Sequence, residues 1–409
     1  MQQAIYSVYV ILPILLLWGA KFTGFKKFND EFLSIKQTKA FQGFLAVCIM
    51  LHHIAQKTCA SWIYPPSRIV HGLDIFVDMG FLLVSVFLFF NGYGVYKSFH
   101  AKDNYLKGYF KKRILPVVLA LYTTTFIFFI ARLLVGEKMN GEQIRLYLTS
   151  IQLCNPNTWY VIVLPFFYLF FYISFRFIKK DGLAVAATCA LVIAYMLYGT
   201  TVDHNDYWIR GEWWYNCVIL FPVGIVFAKF EKKIIPHVQK FYWFYLILFL
   251  AAYYPIRIGV NNVANMFGYY GEGWIPQNIV VMNRRITLAA QSVLCTWFVM
   301  CWLLLGMKVK IGNAFIKFMG TITLEFYLIH GLYVELFGWQ FDGGVPSPHH
   351  IKYVIVYVLV VFALGVPSAI LLQNIHHVIL GKKKLRDIFK VPTMKKEAQI
   401  ETKKKDKSA

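Results

Sequence analysis

The sequence predicts an all-α membrane protein: a polytopic bundle of about eleven (10–11) transmembrane helices with its N-terminus outside and its C-terminus in the cytoplasm. Three observations predict it. The 409 residues are 58% hydrophobic, 18% aromatic and only 15% charged, more apolar surface than one water-soluble core can hide. Apolar runs of helix length recur along nearly the whole chain. The basic residues, which give a net charge of +22, fall between these runs rather than on one domain, so they speak of topology and anionic lipid rather than nucleic acid.

In chain order, hydropathy places helices at about 4–20, 40–60, 72–95, 114–135, 159–178, 183–200, 215–230, 241–257, 286–306, 319–339 and 351–376. The first run lacks the basic start of a secretory signal and is followed by Lys21, Lys26 and Lys27, which makes it a retained helix entered from outside. Alternate connections then carry the lysines and arginines, among them Lys36, Lys39, Lys97, Lys107, Arg176, Lys180, Lys229, Lys240, Lys308 and Lys317. The alternation assigns those connections to the cytoplasm. Residues 1–381 form the transmembrane domain; residues 382–409 are Lys-rich and without apolar periodicity after Phe389, the pattern of a disordered tail lying on lipid.

The other connections mix acidic, polar and aromatic side chains, as in DHNDYWIRGEWW from Asp203 and NNVANMFGYYGEGWIPQ from Asn261. Trp and Tyr there serve as interface anchors or as the lining of a sugar groove. None of the seven cysteines has metal-ligand spacing; Cys59 and Cys154 alone lie near outer connections, where a disulfide is open to them.

The chemistry centres on Lys39 to Lys57, KAFQGFLAVCIMLHHIAQK, an apolar helix with adjacent His52 and His53. Ionisable groups inside a membrane helix are costly and mark function. A rise of ~1.5 Å per residue from Ala40 puts His53 about 20 Å up, in the outer half of the bilayer. Asp74 and Asp78, four apart and expected on one face of the next helix, can meet the histidines and orient them as general bases. In GTITLEFYLIHGLYV, Glu325, Tyr327 and His330 interrupt another apolar helix, as interhelical hydrogen-bonding groups or as part of the site. Arg284 and Arg285 are expected to snorkel to headgroups. KGYFKKRILP, ahead of a helix expected to begin near Pro116, concentrates Lys111, Lys112 and Arg113, which suits positive-inside topology or phosphate. A metal at His52 and His53 is disfavoured, because neighbours on a helix point about 100° apart.

These residues resemble the acyltransferase-3 family of multi-span membrane O-acyltransferases that modify bacterial surface glycans. The resemblance runs from about Lys36 to Gly381. The family has a basic residue, ten residues, then His in an early helix. Here that spacing from His53 falls on Gln42, before Gly43, so the basic role passes to Gln42, Lys39 or another helix. VSVFLFFNGY is similar to the family's gVxxFFxxSGf helix, with Asn91 for Ser and Gly92 retained. FKKRILP is similar to its two arginines three apart before a proline, with only Arg113 present. NTWYVIVLPFFY, led by Trp159, resembles its Trp-led helix; WWYNCVILFPVGIVFA resembles its W...FplGi helix; and GTITLEFYLIHG resembles its lGxxSlexYLiHg helix, with Thr323 for Ser.

The resemblance implies acyl transfer from cytoplasmic acyl-CoA, usually acetyl-CoA, to a hydroxyl of an extracytoplasmic or lipid-linked saccharide, in a bacterial inner or plasma membrane. His53 would be the catalytic histidine, with His52 beside it, and Arg113, Lys112 and Lys111 would hold the CoA phosphates. Gln42, Asn91, Trp159, Glu325, Tyr327 and His330 would support the site or the substrate. Acyl-CoA is then a co-substrate and no separate cofactor or metal is expected. The competing readings are a transporter or lipid-linked glycan flippase, against which no internal repeat is evident, and an inactive scaffold on the same fold.

Overall fold

The computed structural model describes residues 2–202, 211–268, 276–341, 344, 346–347 and 349–391. The acidic and aromatic stretches at 203–210 and 269–275, and the tail from 392, lie outside the described residues. The protein is an all-α membrane bundle. Seven described helical segments are long and apolar enough to cross a membrane. Their contacts divide the chain into two compact units, residues 1–79, 134–137 and 308–409, and residues 80–133 and 138–307.

In the first unit lie α1 (Val8–Leu17), α2 (Ile35–Thr58), α11 (Ala314–Thr321), α12 (Thr323–Phe337) and α13 (Val354–Ile379). Helix α2 begins earlier than its hydropathy suggests, because the Ser34 hydroxyl accepts from the Gln37 amide and caps it. It is buried almost continuously from Ala40 to Ala55, which explains how it carries two histidines and three lysines without meeting the hydropathy of a lipid-facing span. Gly43 permits this burial: a Cβ there would sit 2.3 Å from the Ile316 carbonyl oxygen and 2.4 Å from the Gly320 nitrogen. The glycine after Gln42 and the first glycine of GTITLEF therefore match because two helix backbones touch there.

The single helix expected over 319–339 is two. Gly320 and the β-branched run Thr321, Ile322, Thr323 interrupt it, and the freed Thr321 carbonyl is taken by the Gln373 amide of α13. A two-stranded antiparallel ribbon that hydropathy does not reveal pairs β1 (Lys21–Phe22) with β2 (Val309–Lys310). The start of the basic tail is ordered too: Asn374 donates to the carbonyls of Ile388 and Lys390 at 2.7 and 2.9 Å, which holds the turn at Leu385–Asp387 against α13.

In the second unit lie α3 (Gly80–Ala101), α4 (Leu115–Leu134), a short α5 (Gly141–Leu148), α6 (Trp159–Phe177), α7 (Asp181–Thr201), α8 (Leu220–Lys240), α9 (Tyr242–Phe267) and α10 (Gln277–Gly306). Helices α3 and α8 cross at backbone distance, since a Cβ on Gly92 would lie 1.9 Å from the Phe221 oxygen. The helix expected to begin near Pro116 starts sooner, through a π-helical turn at Phe110–Ile114 that runs straight into α4. Arg284 does not reach toward headgroups. It is buried and donates to the carbonyls of Thr200 and Val202, the unsatisfied end of α7, and Arg285 donates to the Thr200 hydroxyl. All seven cysteines are free; the Cys59 sulfur faces the Val70 carbonyl at 3.2 Å rather than Cys154.

Candidate functional site

In the first unit, His52 and His53 lie in the C-terminal half of α2, both buried. His53 Nδ1 is 2.8 Å from His330 Nε2 on α12, with the rings within 9° of parallel. His330 Nδ1 is in turn 2.7 Å from the Phe326 carbonyl. A carbonyl only accepts, so His330 Nδ1 carries its proton, and a neutral His330 then presents a lone pair at Nε2. That lone pair accepts from His53 Nδ1–H, which leaves the free lone pair of His53 on Nε2. His52 is fixed in the same sense, its Nδ1 donating to the Phe76 carbonyl at 2.7 Å. Two adjacent imidazoles are thus both held as Nε2 bases by carbonyls and one another histidine. The Tyr327 ring completes the cluster, 6.4 Å from the His53 ring.

The aspartates expected to orient these histidines do not. Residues 74–79 are not on the face of a helix: Asp74 opens a 3-10 turn, Asp78 lies in the turn that follows, and α3 starts only at Gly80. The Asp74 carboxylate accepts from His71 Nδ1 at 2.5 Å and from the Gly72 amide at 2.7 Å, and closes its own loop. The physical reason is local: Gly72, with φ +137°, bends the chain, and an aspartate two residues later finds that amide before any helix can form. Asp78 is exposed but stays within electrostatic reach of His52.

Glu325 is brought near the start of α12 rather than to His53. It faces His376 Nδ1 at 3.3 Å and accepts from Gln373 at 3.4 Å, both on α13, which makes it an interhelical tie. Gln42 is half-buried, one residue before the close helix crossing at Gly43. One turn beyond His53, Lys57 donates to the buried Glu335 carboxylate at 2.9 Å and to the Gln340 carbonyl at 3.4 Å. Sequence reading passed over this pair. Its signals were a lysine four residues after a histidine and a carboxylate inside an apolar helix.

The second unit holds a separate polar chain. Arg113 donates through Nε to the Tyr105 hydroxyl at 2.9 Å and through Nη2 to Ser98 at 3.2 Å. Tyr168 donates to Asn91 Oδ1 at 2.8 Å, and Asn91 Nδ2 donates to the Tyr160 oxygen at 2.6 Å and to the Phe87 carbonyl. Asn91 is thereby a two-sided connector, accepting at Oδ1 and donating through Nδ2. Trp159 is buried in the first turn of α6, its ring 6.2 Å from that of Tyr160. Lys111 and Lys112 are exposed beside Arg113, on the π-helical turn. Tyr168 is a third hydrogen-bond partner of the Arg113 guanidinium, whose five donors outnumber these three hydroxyls.

Compared with protein-family models, the chain matches the one described as an acyltransferase domain over residues 38–373. Searches of curated proteins and of solved structures return no match.

Proposed function

Because the chain belongs to the acyltransferase-3 family, we propose that this multi-pass membrane acyltransferase moves an acyl group, usually acetyl, from cytoplasmic acyl-CoA to a hydroxyl of an extracytoplasmic or lipid-linked saccharide. The membrane is a bacterial inner or plasma membrane, with an eleven-helix path, N-terminus outside. The single observation that carries the reading is the hydrogen-bonded order Phe326 carbonyl, His330, His53, which leaves a basic Nε2 on a buried imidazole. A general base of this kind needs a fixed tautomer and a lone pair directed away from its support.

In the reaction, the acceptor hydroxyl gives its proton to His53 Nε2 as its oxygen bonds the acyl carbon. The tetrahedral adduct then collapses to the ester, and the CoA sulfur leaves as thiol with the proton returned from His53. His330 holds the imidazole in register throughout. Arg113, flanked by Lys111 and Lys112, binds the phosphates of CoA, the chemistry its fork of donors suits. Gln42 stands where the family pattern has a basic residue, and that role falls to Gln42, Lys39 or another helix.

The test is transfer by the purified full-length protein. Wild type should release CoA thiol from acetyl-CoA and form acetyl esters on a glycan; His53→Ala should be folded, equally abundant and without either activity. Acetyl ester content unchanged in cells carrying His53→Ala would refute the reading.

A further inference from the structure

Helix α2 and helix α12 meet in two successive bonded pairs, and the proposed chemistry uses only the first. His53 and Lys57 are four residues apart on α2, hence on one face and about one turn, roughly 6 Å, apart. Helix α12 answers with His330 and Glu335, at 2.8 and 2.9 Å. The Glu335 side chain is 2% exposed and the Lys57 side chain 23%, so the carboxylate is sunk while the lysine is only partly covered. Glu335 and the Gln340 carbonyl take two of the three ammonium protons. Burying a carboxylate and an ammonium is costly, and an apolar pair of similar volume would pack as stably, so stability alone does not account for the pair.

We propose that Lys57 donates to the oxyanion of the tetrahedral adduct formed during acyl transfer, and that Glu335 is the positioning residue that aims it. The inference rests on the functional reading above and names a second group of the same site. Acyl transfer requires a base for the incoming hydroxyl and a donor for the carbonyl oxygen, with the reacting carbon between them. His53 and Lys57 stand one turn apart on the same face of α2, and the Lys57 charge is close enough to act on the His53 ring, so the two can serve one reacting carbon. As the acceptor oxygen bonds the acyl carbon and its proton passes to His53 Nε2, the C=O electron pair moves onto oxygen, where the Lys57 N–H meets it. When C=O re-forms, the C–S bond breaks and the sulfur takes the proton from His53. No proton leaves Lys57.

The experiment measures thiol release from acetyl-CoA, with an acceptor glycan supplied, by full-length protein in liposomes for wild type, Lys57→Met, Lys57→Arg, Glu335→Gln and His53→Ala, and repeats it with chloroacetyl-CoA. Loss of an oxyanion donor lowers kcat by about 10²–10³-fold, so Lys57→Met should fall by that factor with KM for acetyl-CoA kept, and Lys57→Arg should retain most of the rate. The chlorine stabilises the oxyanion by itself, so the Lys57→Met deficit should shrink with chloroacetyl-CoA. A purely structural lysine would lower both donors equally. If Lys57→Met does not fold, Lys57→Met with Glu335→Leu removes the lone buried carboxylate and carries the same comparison. Turnover near wild type in Lys57→Met, or an equal deficit with both donors, overturns the inference while an inactive His53→Ala leaves the functional reading standing. A folded wild type that releases no thiol overturns both.

Discussion

His53 and His330, 277 residues apart in sequence, share one hydrogen bond of 2.8 Å between Nδ1 and Nε2. The direction of that bond is set by a third group, the Phe326 carbonyl, because it can accept only from His330 Nδ1–H. In the proposed reaction His330 is therefore a positioning residue that acts through His53. Replacing His330 with Ala should leave His53 free to choose its tautomer and rotamer, and turnover should fall by about 10²-fold or more, the scale of general base catalysis. Acetyl-CoA affinity should stay within about twofold, since in the proposed reaction Arg113 and its lysines hold the donor phosphates. Steady-state thiol release beside calorimetric CoA binding checks both; equal losses in rate and affinity would mean His330 is doing something other than orienting a base.

Why are His52, His53 and His330 legible as candidates while the bond between His53 and His330 is not? His52 and His53 stand out because ionisable side chains in an apolar run of helix length are rare and expensive. The partner depends on which helix lies against α2, which periodicity does not encode. Two aspartates at helical spacing looked the better match, but Asp74 satisfies an amide two residues away, a local competition that a four-residue spacing cannot register. The apolar runs predicted helices well, since burial in lipid leaves little alternative. The break at Ile322 followed from a glycine and three β-branched residues, readable in principle, whereas the ribbon of two-residue strands carried no pattern long enough to see. The matched glycines of the motifs were visible as letters; only the 1.9 Å approach at Gly92 says what they are for.

That approach yields a stability prediction. A methyl at Gly92 would collide with the backbone oxygen of Phe221, which cannot rotate away as a side chain could, so α3 and α8 must separate. Gly92→Ala should cost about 1–3 kcal/mol, and Gly92→Val more. Thermal unfolding of the detergent-solubilised protein, followed by size-exclusion chromatography, should show the midpoint falling in that order. Gly94, two residues on, has open space around its would-be Cβ, so Gly94→Ala serves as the control and should leave the midpoint in place.

Donor binding gives the next. Arg113 is held by Tyr105 and Ser98 with its fork pre-aimed, and a charge-assisted hydrogen bond to phosphate contributes about 1.5–3 kcal/mol. Arg113→Ala should then weaken CoA binding by about 10- to 100-fold. Arg113→Lys keeps the charge but not the planar fork and should recover only part of it. Calorimetry with CoA and with dephospho-CoA separates the contributions: if Arg113 holds the 3′-phosphate, its loss should scarcely matter for dephospho-CoA.

The loop that ended up with Asp74 predicts a pH dependence unconnected with catalysis. Partial burial pushes the Asp74 carboxyl up, but the His71 imidazole and the Gly72 amide outweigh it and hold the group below the usual carboxylate range. A carboxyl whose folded-state value is depressed adds stability above its unfolded value, about 3.9, and that contribution is lost as pH falls through the folded value. Asp74→Asn should therefore lower the thermal midpoint at pH 7, and the difference from wild type should shrink as pH falls below the unfolded value and through the folded one. Because Asp74 bonds its own loop and not His53, thiol release at pH 7 and a temperature well below the midpoint should be unchanged. A rate loss there without a stability loss would return Asp74 to the catalytic site.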